Sequence, residues 1–450
     1  MKASRREFLK KTIIAIGAIS LYSLLSNDTP AYSKVTERAD CTLYRAVNGS
    51  PDKNLKKIIE LMGGIKKIVG TDDVVVIKPN AQWWNHGATN LSALKTLVDS
   101  IMNYPGGFYG EVVIAENCHR GSMPWNSSHS GWASRFEWNS DLQDINNMND
   151  LSVHLKQCYG EKFSTCHWIN VNEGNKRVYG PEDGTGYVYC DGTGGVPLIC
   201  LDNGANGDDY RAVIMSYPIF QTDKGTVVDF KNGIWEKGKY TEKPLRFINF
   251  AALNHHSTYC GVTSAIKNYL GISDLSGGPD PYAEGYLTGS YYNFHSFPFN
   301  EWAPGPVPGM LGSEIGFFMN SIRKADMNIT TAEWIGIVSR TEPPIVNTRA
   351  VLGCKDPVAL DYHASKYILY PNSGLEIHNP DDMNSPTHQY LVKCSEQGGG
   401  ILNERYVDVK SYDFDTKAFQ DDSDLIVVSR KKWEFSLRNF MKYFTLKYFQ

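Results

Sequence analysis

The run NHHSTYCGVTSAIKNYLG, positions 254–271, places two imidazoles, a thiol, an ammonium group and amides within one short window. A neutral imidazole gives or takes a proton near pH 7 and a lysine holds an anion. His255, His256 and Lys267 therefore have the chemistry for proton transfer and for binding a carboxylate or phosphate. From Gly261 or Val262 onward the run reads as a helix, with Val262, Ile266 and Leu270 at i, i+4 and i+8 and Gly271 as the stop. The N-terminus of such a helix carries unpaired N–H groups and partial positive charge, which predicts an anion site with Lys267 leaning back toward it.

Four expected strands end in groups of this kind. VVVIKPN delivers Lys78 and Asn80, and EVVIAEN delivers Glu116 and Asn117 ahead of Cys118 and His119. RFINFAALN leads into Asn254, His255 and His256, and RAVLGC leads into Lys355 and Asp356. Open parallel sheets bind ligands beyond the carboxyl ends of their strands. Four parallel strands would thus bring these groups to one rim, with His256 and Glu116 as proton carriers beside Lys267. His255 and His256, being adjacent, face opposite sides of an extended chain and do not readily share a metal. One histidine with Cys260, Glu116 or His363 could hold a metal ion, although no tight ligand spacing marks such a site. Asp356, before Pro357, is explained as a helix N-cap, while Asp361, one turn further on, can point at the rim.

The elements that must position these residues alternate along the first part of the chain. NLKKIIELMGGIKKIV has Leu55, Ile58, Ile59, Met62 and Ile65 at helical spacing, DDVVVIKPN is a β-branched run closed by Pro79, and LSALKTLVDSIM begins after the N-cap Asn90. Residues 118–245 break the pattern with turn signals such as PEDGTG and DNGANGDD, and read as a loop-rich, partly β insertion laid over the sheet. The alternation returns with RFINFAALN, EWIGIVS, TRAVLGC and PVALDYHASKYIL, and DLIVVSR is expected to finish the sheet. The expected fold is α/β, a mostly parallel sheet with helices on both faces, built from 34–117 and 246–450 with the 118–245 insertion.

Two further segments bear on ligands. The loop from Ser276 to Gly309 carries Tyr282, Tyr286, Tyr291, Phe294, His295 and Trp302, and its length suits a lid or a recognition surface. Trp83, Trp84, Trp125 and Trp132 on other loops could add stacking surfaces for a glycan or a protein partner. The last helix, KKWEFSLRNFMKYFTLKYFQ, has an apolar stripe at Trp433, Leu437, Phe440, Phe444 and Tyr448. It would lie on a membrane surface or dock on the sheet, and the ordinary width of the stripe favours docking.

Residues 1–33 read as a signal peptide: a basic head, an apolar stretch from Thr12 to Leu25, and small residues Ala31 and Ser33 at cleavage spacing. SRREFLK resembles the twin-arginine signal, which implies the twin-arginine export machinery as a partner and a periplasmic or other extracytoplasmic destination. Cleavage after Ser33 would leave a soluble 417-residue protein with 40 basic and 47 acidic side chains, net −7, and no basic footprint for nucleic acid. The nine cysteines form no CxxC pair, so an iron–sulfur cluster lacks its usual spacing. Cys158 with Cys166, and Cys190 with Cys200, are close enough in sequence to pair in an oxidising compartment.

VVVIKPN, NHHSTYCGVTSAIKNYLG and VLGCKDPVALDYHASKYIL together resemble the domain of unknown function 362 family, a bacterial and archaeal group, and 118–245 falls outside the likeness. The resemblance implies that Lys78, Asn80, His256, Thr263, Lys267, Asn268, Asp356 and Asp361 occupy the family's recurrent motif positions. Members with an iron–sulfur cluster carry a ferredoxin-like cysteine run, which this chain lacks. The family's activity is not established. The residues themselves point to an exported enzyme for a small anionic or polar substrate, with His256, Glu116 and Lys267 as catalytic groups. Lys78, Asn80, Thr263, Asn268 and Asp361 would line the substrate site, and His255, Cys260 and His363 are the candidate ligands of an assisting metal. A non-catalytic binder that grips a glycan or partner through its aromatic loops, and a carrier of a cofactor, are the competing readings.

Overall fold

Val74–Lys78 and Glu111–Glu116 are buried at every position, and such continuous apolar runs are accommodated by strands covered on both faces. A computed structural model describes residues 41–117, 130–168, 176–202, 212–257, 260–275 and 310–429. Nine of its strands form one mixed sheet: β1 (Cys41–Val47), β2 (Val74–Lys78), β3 (Glu111–Glu116), β4 (Phe163–His167), β5 (Leu245–Ala252), β6 (Met327–Gly336), β7 (Ile345–Cys354), β8 (Val407–Asp413) and β9 (Ala418–Gln420). Their order is β9-β8-β1-β7-β6-β5-β2-β3-β4. The five strands from β6 to β4 are parallel neighbours. β7 runs antiparallel to both β6 and β1, β8 is parallel to β1, and β9 is antiparallel to β8.

Helices cover both faces. On one lie α1 (Pro51–Leu61), α2 (Leu91–Met102) and α3 (Met148–Tyr159), which pack Leu55, Ile58, Leu94, Leu97 and Leu151 against Val75, Ile77, Val112 and Ile114. Asn90 caps α2 by accepting the Ala93 N–H at 3.0 Å, as its residue type predicts. The other face carries α4 (Ala265–Asn268), α5 (Met310–Ser321), α6 (Pro357–Ala364) and α7 (Pro386–Glu396). Beside these helices sits a five-stranded antiparallel sheet drawn from residues 186–240. Phe230, Phe220 and Trp168 tie that small sheet down, with the Phe230 ring 5.1 Å from Phe247 of β5. The insertion therefore shares a hydrophobic core with the main sheet.

Several expectations need correction. The parallel sheet continues into the supposed insertion, because α3 and β4 add one more strand–helix–strand unit before residue 168. β1, β8 and β9 were not anticipated; β8 alternates exposed and half-buried residues near the sheet edge and so lacks an apolar run. DLIVVSR does not finish the sheet. Residues 425–429 are not in a strand, and the Val427 N–H bonds the Tyr367 carbonyl instead. Neither Cys158 with Cys166 nor Cys190 with Cys200 forms a disulfide in this structure. The signal segment, the aromatic loop 276–309, Cys118, His119, Trp125 and the last helix lie outside the described residues. Among the described residues no helix is long and apolar enough to cross a membrane.

One core residue breaks the pattern. Glu314 of α5 is fully buried, and neither carboxyl oxygen meets a hydrogen-bond donor among the described residues. Burial pushes its carboxyl well above the usual range. A group raised in the folded state contributes stability below its unfolded value that is lost as pH rises toward the folded value. Glu314→Leu is therefore expected to stabilise the protein by about 1–3 kcal/mol near neutrality. The gain should grow between pH 5 and pH 8 in urea unfolding, and a gain independent of pH would refute this account.

Candidate functional site

Strands β6, β5, β2 and β3 end on the same edge, but at staggered heights, and the polar residues divide accordingly. In the lower cluster, Lys78 Nζ lies 2.9 Å from Glu116 Oε1 and 2.6 Å from Asn268 Oδ1. The Asn268 amide donates to the Lys78 carbonyl (3.1 Å) and to Asn249 Oδ1 (2.7 Å), and Asn249 donates to Asn328 Oδ1 (2.9 Å). Strand register explains the chain: Lys78, Asn249, Asn328 and Cys354 stand opposite one another across four strands. Gly271 closes the cluster, since a Cβ there would stand 2.7 Å from both Cε and Nζ of Lys78.

Glu116 is committed to this lower cluster. Besides Lys78, its carboxylate accepts the Ala81 N–H (2.9 Å) and the Trp132 indole N–H (3.2 Å). Burial pushes the carboxyl up, and Lys78, Trp132 and Ala81 pull it back. Trp132, expected as a stacking surface, is instead wholly buried as a donor to Glu116, with its ring edge-on to His167.

The upper cluster forms where the β2–α2 loop, the end of β5 and the β6–β7 hairpin meet. His256 Nδ1 faces Ser257 Oγ at 2.9 Å, and its Nε2 receives an N–H of Arg340. A guanidinium only donates, so Nε2 bears the lone pair and Nδ1 the proton. Arg340 in turn rests over Trp83, 5.7 Å from the ring centroid. His86 Nε2 donates to the Ser339 carbonyl at 2.9 Å, and burial pushes this imidazole down to about 4, so it is neutral. Asn254 stitches the loops together by accepting the Gly336 N–H (2.7 Å) and donating to the His86 carbonyl (3.2 Å).

His255 points the other way, as extended backbone requires. Its Nδ1 lies 2.9 Å from His378 Nε2, and His378 Nδ1 lies 2.7 Å from Ser373 Oγ. Burial pushes His378 down to about 3, so this relay contains a neutral ring. Arg340, His86, His378 and Ser373 were missed from sequence. Arg340 ends the run EWIGIVSR, so the strand-end rule that flagged the histidines applied to it as well. His378 lies in an isolated turn that carries no spacing signal.

The expected anion site exists but is filled by the protein. Helix α4 is a single turn starting at Ala265, because Asn254–His255 and Val262–Thr263 pair as a small antiparallel ladder. Its first N–H groups are taken by Asp361, Ala265 N to Oδ1 at 2.8 Å and Ile266 N to Oδ2 at 3.0 Å. Burial pushes the Asp361 carboxyl up to about 7 against these donors. Asp361 is thus an internal cap, not a group presented to substrate. Burial pushes the Cys260 thiol up and Asp361 adds to this, while the Lys267 ammonium and the Arg340 guanidinium oppose it.

The remaining expected residues scatter. Asn80 is tied through its backbone to Thr89, at 2.8 Å in both directions, and Thr263 is buried in the small ladder. β7 runs antiparallel, so Lys355 and Asp356 emerge beside the start of β6 rather than its end, and Asn328 donates to the Lys355 carbonyl (3.1 Å); Asp356 caps α6 through Ala359 N (2.9 Å) and also accepts Ile401 N (2.9 Å). His363 bonds Arg45 of β1 at 3.2 Å, and burial keeps it neutral. Among the described residues no three His, Cys, Asp or Glu side chains converge as a metal site would require. No family model matches the chain, and no curated protein or solved structure matches it.

Proposed function

We propose that the protein is an exported enzyme of the domain of unknown function 362 type, acting on a small anionic substrate at the upper cluster. The observation that carries this reading is the Arg340 guanidinium, held by His256 and resting over Trp83 where three segments converge, with Lys267 the other cation that acts on the buried Cys260. A carboxylate or phosphate held between them would be desolvated and charge-paired. His256, with both ring nitrogens engaged, orients Arg340, and His255, backed by His378 and Ser373, carries the proton. Lys78 and Glu116 brace the floor from beneath.

Thermal shift with inorganic phosphate and small carboxylates, at constant ionic strength, tests the cation pair. A bound anion at one hundred times its Kd should stabilise the protein by about 2.7 kcal/mol. Arg340→Gln and Lys267→Gln should lose that shift, each measured against its own unliganded midpoint. An anion that stabilises both variants as well as the parent would sink the reading. Once a substrate is identified, His255→Gln should slow turnover by about 10²- to 10⁴-fold. Half-buried Trp83 and Trp84, 6.1 Å apart, favour the glycan-binding alternative. An oligosaccharide whose binding fails in Trp84→Ala but survives Arg340→Gln would support it.

A further inference from the structure

Cys41 opens β1 and Cys354 closes the antiparallel β7, where Leu43 stands directly opposite Cys354. Side chains two apart on a strand share a face, so Cys41 is the diagonal neighbour of Cys354 on that face. Both side chains border the same hydrophobic core, and the neighbouring Cys41 thiol together with burial pushes the Cys354 thiol up. Cys41 is half-buried, whereas Cys354 is fully buried. The Asp356 N–H donates to Cys354 Sγ at 3.4 Å, an interaction that favours the thiolate when it forms.

We propose that Cys41 and Cys354 are a redox pair that closes into a disulfide when the protein meets a disulfide-bearing oxidant, such as oxidised glutathione or an oxidoreductase. The accessible Cys41 thiolate attacks one sulfur of the oxidant, forming a mixed disulfide and releasing one thiol. Cys354, its proton passing to the solvent, then attacks the Cys41 sulfur and expels the second thiol. Two protein thiols lose two electrons and two protons, and the oxidant's disulfide gains them as two thiols. The bond ties the first strand of the sheet to the strand that precedes α6, and it closes the long chain between them, which is where a cross-link most restricts the unfolded state.

The pair is tested on the full chain by incubation with oxidised glutathione or with dithiothreitol, followed by alkylation, peptide mass spectrometry and thermal melting. Oxidation should yield a linked peptide pair lighter by two hydrogen atoms than the reduced peptides, and should raise the midpoint by roughly 2–5 °C. Cys41→Ser, at the half-buried position, should abolish both effects while keeping the reduced protein's midpoint; Cys354→Ala should abolish the linked peptide. Cysteines that remain fully alkylatable after oxidation, or a Cys41 that stops at the glutathione adduct, would overturn the proposal.

Discussion

Lys78→Met will destabilise the fold by about 3–5 kcal/mol, because it removes one partner of a buried pair and leaves the Glu116 carboxylate buried without its counter-charge, with the Ala81 N–H and the Trp132 indole as its donors. Methionine matches the lysine stem in size, so little of the loss comes from packing. What goes is the ammonium that serves Glu116 Oε1 and Asn268 Oδ1 together. Adding Glu116→Gln should recover most of the loss, since a neutral amide tolerates the site better than an unpaired carboxylate. Urea unfolding of the two single variants and the double variant closes the cycle. In Lys78→Met the lone Glu116 is raised further, and a raised carboxyl contributes stability below its unfolded value that fades as pH climbs. The deficit should accordingly be smallest near pH 5 and largest near pH 8. A Lys78→Met protein within 1 kcal/mol of the parent would show that the pair does not hold the strand ends together.

Asp361→Ala is expected to cost about 2–5 kcal/mol. Its carboxylate is the acceptor for the N–H groups of Ala265 and Ile266, and each buried donor left unmet costs about 1–3 kcal/mol. Asp361→Asn keeps one acceptor oxygen and should fall between the parent and the alanine variant. The pH profile gives a second readout. With a folded value of about 7 against 3.8 unfolded, the stability linked to this group is complete below about 3.8 and is lost as pH rises through 7. The parent should lose stability relative to Asp361→Asn between pH 4 and 7, at up to about 1.4 kcal/mol per pH unit. Parallel profiles for the two proteins would mean that Asp361 is ionised throughout and that burial does not raise it.

Much of the architecture was legible because its signals are local. Asn90 caps α2 and Asp356 with Pro357 starts α6, each acting within three residues of its own position. The runs VVVIK and EVVIAE are strands buried on both faces, as continuous β-branched and apolar segments demand. Even the opposite directions of His255 and His256 follow from extended backbone. The direction of β7 was misjudged although the means to read it were present. Only residues 337–344 separate β6 from β7, a span that suits an antiparallel return and is too short for the crossover a parallel pair needs. That error placed Lys355 and Asp356 beside the end of β6, whereas they emerge beside its start.

Residue type and spacing by themselves determined an α/β protein whose strand ends carry lysine, imidazole and carboxylate, since periodicity, caps and turn residues act over a handful of positions. Which of those groups meet was decided only by the tertiary structure. Lys78 met Glu116 and Asn268, Asp361 took the end of α4, and Arg340 rather than a carboxylate met His256. The reason is physical: strand stagger and the antiparallel turn into β7 set the heights and edges at which side chains emerge, and a buried charge then takes whichever opposite or hydrogen-bonding group lies nearest, however distant along the chain.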